Sequence, residues 1–217
     1  MPDLTPAQRS QLVDFSPEIA FVAESPHVSE VAPDLIELRR PLCGKAGQAF
    51  WKMVGELVEG EASQDTSLER MLRLARAGRF AVLNSVQFPL DPKVCAEFPE
   101  ADPVAHLGFS KIPPASYKKL RAGRDVPRAV ELLRERLVHP RLAGAAIVSL
   151  GNDAEWFVSA ALGQAAGEGR HVAKIPHPSA WWRQGGKLRE RAREQLTELL
   201  VKGLRPSRNA ASARARP

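Results

Sequence analysis

Four stretches of the chain are almost wholly apolar over strand length: 18–25 (EIAFVAES), 79–86 (RFAVLNSV), 143–151 (AGAAIVSLG) and 170–177 (RHVAKIPH). Between them, apolar residues recur at i, i+3, i+4 and i+7, the period of a helix with one face turned inward. In 44–60 these residues are Gly47, Phe50, Trp51, Val54, Leu57 and Val58. Segment 66–78 reads as a further helix, with Thr66 or Ser67 at its N-cap and Gly78 as its stop. Helices are also predicted over 126–139, with Pro127 near the first turn, and over 152–164. The last helix, 185–204, carries Leu188, Ala192, Leu196, Leu199 and Leu200 on its inner face. The stretch 87–124 is rich in proline and glycine and reads as a long loop with short helical turns.

Continuous apolar strands that alternate with helices belong to a parallel sheet covered on both faces. The expected fold is α/β: a three-layer αβα sandwich with a central, mainly parallel sheet of about four strands. No repeat or long linker divides the chain, so residues 1–204 are expected to form one domain. Residues 205–217 hold four arginines and no acid. They read as a basic, flexible C-terminal tail, or as an arm that brushes phosphates.

Composition narrows this picture. The chain has 217 residues, 44% of them hydrophobic and 26% charged, enough to bury a sizeable core. No apolar stretch approaches the roughly 20 residues that span a bilayer, so no membrane partner is expected. The first residues, MPDLTPAQRSQLVDFSPE, lack a basic region followed by an apolar one, which points to a cytoplasmic protein without a secretory signal. The net charge of +6 is compatible with a polyanionic partner. Cys43 and Cys95 stand in unrelated contexts and make neither a disulfide framework nor a four-thiolate metal or iron–sulfur site. No metal and no cofactor are expected.

In open parallel sheets, ligands bind beyond the carboxyl ends of the strands. That rule singles out Glu24 to His27, Asn84 to Pro89, Gly151 to Asp153 and His177 to Arg183. It aims a carboxylate, an amide and an imidazole at one rim. The Gly44-Lys45 pair does not make a P-loop, because it lacks the upstream glycine and the following Ser or Thr.

The motifs at these ends, VAESPHVSE (22–30), RRPLCGKAGQAFWKMV (39–54), VLNSVQFPL (82–90), VSLGNDA (148–154) and HPSAWW (177–182), recur in order and spacing in a known family. Over about residues 18–183 the chain resembles the uracil-DNA glycosylase superfamily, most closely its bacterial and archaeal iron–sulfur branches. It departs at Ala23 and His27, where the family has glycines, and at Leu42, where the family has the aromatic that stacks on the flipped base. Gln87 and Phe88 stand where the iron–sulfur members have Lys-Cys, so no cluster is expected.

The resemblance implies a monofunctional DNA glycosylase that flips uracil, or a related deaminated base, out of DNA and hydrolyses its N-glycosidic bond in base excision repair. It assigns catalytic roles to His177, which donates to the leaving base, to Glu24, which orients water or stabilises the sugar cation, and to Glu30. Substrate contacts fall to Asn84, Leu42, Gly44 and His27. Asn84 offers the donor and acceptor that match the N3–H and O4 edge of uracil. DNA contacts fall to Ser25, Pro26, Ser179 and Arg183, with Trp181 or Trp182 as a wedge in the duplex. DNA is the implied partner, with the protein acting as a monomer. The same residues also admit a plainer role: a histidine that caps the turn before Pro178, and tryptophans packed under the last helix. Two adjacent residues on a loop rarely both bury, so at least one tryptophan is expected to be exposed. A relative that binds DNA or a modified base without cutting is the alternative, and an unrelated α/β nucleotide-processing enzyme a further one.

Overall fold

A computed structural model of the chain describes residues 16–27, 30, 41–60, 69, 73–74, 79–86, 126–166 and 170–203. Most of the helix expected over 66–78, the loop over 87–124 and the tail 205–217 lie outside the described residues.

Strands β1 (Ile19–Ala23), β2 (Phe80–Asn84), β3 (Ala146–Leu150) and β4 (Val172–Ile175) form one sheet in the order β2-β1-β3-β4. Every pair is parallel; Ala23 lies beside Asn84, Val22 beside Ser149, and Leu150 beside Ile175. The described helices are α1 (Lys45–Glu59), α2 (Val126–Leu137), α3 (Asn152–Ala166) and α4 (Lys187–Gly203).

Strand side chains point alternately to opposite faces. In β1, Ile19, Phe21 and Ala23 enter one core with Phe50, Trp51, Met53 and Val54 of α1 and Ala192, Leu196, Leu199 and Leu200 of α4. Ala20 and Val22 enter the other core, with Ala129, Leu133 and Leu137 of α2 and Phe157, Val158, Ala161 and Leu162 of α3. β1, β2 and β3 each serve both cores, which is why they are apolar without alternation, whereas β4 gives Ala173 and Ile175 to the first. The expected αβα sandwich is therefore the observed one.

Handedness explains which helix covers which face. The path from β1 through α1 to β2 runs one way along the sheet; the paths through α2 and α3 run the other way. Right-handed crossovers then put α1 on one face and α2 with α3 on the opposite face. The direction reverses between β1 and β3, and in open parallel sheets ligands bind outside the carboxyl ends at such a switch point.

Two local features differ from the expected boundaries. The last helix begins at Lys187, because Gln184 and Gly185 adopt positive φ values of 58° and 63° and break the preceding turn, Arg183–Gly186. Gly163, also at positive φ, interrupts α3 near its end.

Candidate active site at the carboxyl rim of the sheet

The residues that follow β1 and β3 flank the switch point. They are Glu24 on one side and Gly151, Asn152 and Asp153 on the other, with Asp153 in the first turn of α3. Asn84 ends β2, and His177 follows β4 by two residues. At roughly 5 Å per strand, the columns of Asn84 and His177 stand about 14 Å apart, with those of Glu24 and Gly151 between them. The sequence expectation of a shared rim is met for all four strand ends.

On the β4 side, His177 opens a single 3₁₀ turn, Pro178–Ala180. Its Nδ1 accepts the Ser179 backbone N–H at 3.2 Å, and the Ser179 hydroxyl lies 2.7 Å from the same nitrogen. A backbone N–H can only donate, so Nδ1 is the acceptor and the neutral ring carries its proton on Nε2. Gly151, at φ 93°, lies under the ring's base: a Cβ there would stand 3.0 Å from the His177 Cβ. Burial pushes the His177 pKa down; the Asp153 carboxylate pulls it up and Arg183 presses it down further. The net effect is a lowered pKa, so the imidazole is neutral at pH 7.

Glu24 is half-buried, and its pKa is raised to about 7, first by burial and then by the negative charge of Asp153. Asp153 thus acts on both Glu24 and His177, which ties the β1 and β4 ends into one electrostatic unit across the switch point. Lys174 of β4 fixes the start of α3 through Glu155 at 2.7 Å.

On the β2 side, Asn84 is fully buried and donates from Nδ2 to Glu30 Oε2 at 2.9 Å. Glu30 Oε1 accepts the Leu42 N–H at 3.2 Å. Burial lifts the Glu30 pKa to about 7, against the opposing hydrogen bonds from Asn84 and from the backbone of Leu42 and His27. Both candidate catalytic carboxyls, Glu24 and Glu30, therefore titrate near neutrality, with desolvation the larger cause in each.

Two expectations are corrected. Trp181 is 2% exposed, packs toward Phe50 and donates Nε1 to the Pro176 carbonyl at 2.9 Å, so it belongs to the core and is no wedge. Its neighbour Trp182 is 64% exposed and keeps that role open. Leu42 is 6% exposed and its side chain joins the α1 core, so it does not form an open wall for a base. What it gives the site is its backbone: φ is 60°, its N–H holds Glu30, and its carbonyl sits where a Cβ on Gly47 would come within 1.6 Å. Gly47 is needed for that close approach.

The remaining residues fall as follows. Gly44 is the N-cap position of α1 and is half-buried, without a side-chain cap. Ser25 and Ser179 are half-buried and Pro26 is buried; His27 and Arg183 are exposed. Among the described residues, no group of three or more His, Cys, Asp or Glu is arranged to hold a metal, and no helix is long and apolar enough to cross a membrane.

Sequence reasoning missed Arg136. Its guanidinium donates to the carbonyls of Asn84 at 2.7 Å and Ser85 at 3.3 Å. The signal was present: Arg136 falls three residues after Leu133 and seven after Ala129, on the apolar stripe of α2. A cation on that stripe must either snorkel out or find buried acceptors.

No family matches the chain, and no curated protein does.

Proposed function

We propose that the protein is a monofunctional DNA glycosylase that hydrolyses the N-glycosidic bond of uracil or a related deaminated base in DNA, working in the cytoplasm as a monomer. One observation carries this reading: a neutral imidazole locked with its proton on Nε2 stands on the same rim as a carboxyl of raised pKa and a buried carboxamide. The resemblance to the uracil-DNA glycosylase superfamily supplies the reaction class.

Cleavage of a C1′–N bond places positive charge on the sugar and negative charge on the departing base. The His177 Nε2–H donates to the pyrimidine O2 as that charge builds, and a donor already aimed is worth about 3–4 kcal/mol in the transition state. Neutrality suits this role, because the ring needs only a proton to share and the lowered pKa keeps it uncharged. Glu24, ionised above about pH 7, orients the attacking water and stabilises the sugar cation. Asn84 reads the base edge, with Glu30 bonded to its Nδ2.

The target nucleotide must leave the stack before any of this happens. Exposed Arg183 meets a phosphate, Ser25 and Ser179 offer hydroxyls to the backbone, and Trp182 fills the gap left by the base. Incubation with uracil-containing single- and double-stranded oligonucleotides, followed by alkali, tests the reading. Strand scission at uracil is the expected result. No scission at uracil, hypoxanthine or xanthine overturns it.

Burial of Leu42 favours a second reading. With that side chain in the core and no aromatic in its place, the pocket lacks one face of the stacking that holds a flipped base, worth about 1–3 kcal/mol. A protein that grips DNA without cutting would show a gel shift and no base release.

A further inference from the structure

We propose that Arg136 is a positioning residue: its guanidinium clamps the backbone at Asn84 and Ser85 and so sets where the Asn84 carboxamide stands. The inference rests on the role of Asn84 given above, while the clamp itself is a matter of geometry.

Asn84 is the last residue of β2, and beyond it the chain must leave the sheet. Toward β1 that exit is held by three bonds. Ser85 donates to the Ala23 carbonyl from its N–H at 2.8 Å and its hydroxyl at 2.7 Å, and the Val86 N–H donates to the Glu24 carbonyl at 3.1 Å. Toward α2 it is held by Arg136: Nη1 to Asn84 O at 2.7 Å and Nη2 to Ser85 O at 3.3 Å. The Nε–H donates to Leu132 O at 3.1 Å, which pins the guanidinium plane to its own helix.

A planar fork that holds two successive carbonyls prevents the peptide between them from turning. A side chain with two torsions follows its backbone, so fixing this peptide fixes one end of the Asn84 amide. Glu30 fixes the other end at 2.9 Å. The arrangement is costly, since a guanidinium is taken out of water; burial pulls its pKa down to about 9 despite the opposing charge of Glu135. Arg136 touches no reacting atom and acts through Asn84. A lysine would keep the charge but, with a single ammonium, could not fork between two carbonyls.

The test uses ¹⁵N-labelled full chain, with the Asn84 side-chain signal identified by its loss in Asn84→Asp. Its chemical shift and hydrogen exchange are followed in wild type, Arg136→Lys and Arg136→Met, beside thermal unfolding. The clamp predicts a shifted Asn84 carboxamide signal and exchange at least about tenfold faster in Arg136→Lys, with β1 backbone amides unchanged. If Arg136→Met fails to fold, Arg136→Lys decides. An unmoved signal in folded Arg136→Lys overturns the proposal, as does acceleration shared equally by β1, which would mark a merely structural role. Neither readout requires turnover. Absence of base release in wild type would therefore count against the glycosylase reading alone. Where base release occurs, Arg136→Lys lowers it about tenfold with the pH profile unmoved.

Discussion

The chain makes the same turn twice. His139-Pro140-Arg141-Leu142 and His177-Pro178-Ser179-Ala180 each open with histidine at nearly equal dihedrals, φ −56°, ψ 136° in the first and φ −60°, ψ 134° in the second. In each, the imidazole accepts the backbone N–H two residues on, at 3.3 and 3.2 Å. In each, the fourth residue bonds back to the histidine carbonyl, at 2.8 and 2.9 Å. The surroundings differ. The first turn leads into β3 at the amino edge of the sheet, and Pro140 and Arg141 are exposed. The second leaves β4 at the carboxyl edge, where Pro178 is buried, Gly151 lies against the ring and Asp153 and Arg183 act on it. Capping is therefore a local property of His-Pro and says nothing about chemistry. Desolvation and nearby charge make one of the two a candidate catalyst.

The largest expected break in this comparison comes from the residues beneath the second turn. Trp181→Ala empties a core site and removes a hydrogen bond, and should cost about 3–5 kcal/mol in denaturant unfolding. Trp182→Ala should leave stability unchanged and weaken DNA binding by about 1–3 kcal/mol in fluorescence anisotropy. If both variants lose stability alike, the division of labour between the two tryptophans is wrong.

Next, His177→Ala should lower base release about 100- to 1,000-fold in single-turnover assays, with His139→Ala unchanged. Equal effects would show that the turn, rather than the rim, matters. Gly151→Ala tests the rim by pressing on the base of the imidazole while keeping the histidine. Positive φ and the 3.0 Å approach to His177 should destabilise the fold by about 1–3 kcal/mol and depress the rate with it.

A further effect is in pH. A carboxyl whose folded pKa is raised is penalised once ionised, so its favourable contribution is complete below its unfolded value and lost as pH rises through the folded one. Glu24 and Glu30, both raised from 4.5 to about 7, should make stability fall between about pH 4.5 and 7. Glu30→Gln should flatten that slope in thermal unfolding. Base release should rise as pH passes through about 7, where folded Glu24 ionises, and Glu24→Gln should abolish the rise. A profile that falls toward pH 7 would remove Glu24 as the ionised partner.

The fold was legible because burial on both faces leaves a direct mark: the runs IAFVA, FAVLN and AIVSL read as strands covered on both sides. The rim was legible through the rule that ligands meet parallel strands at their carboxyl ends. Leu42 misled because the resemblance assigns a position by its neighbours in sequence. Here a positive φ turns the side chain's residue into a backbone prop for Glu30 and for α1.

By itself, then, the sequence determined the layers, the strand ends and the His177-Pro178 turn, since those depend on residues within a few positions of one another. Tertiary structure alone decided which histidine meets Asp153, which tryptophan is buried and that Arg136 grips the end of β2, 52 residues away. Desolvation and charge are felt through space, and the groups that impose them arrive from distant parts of the chain.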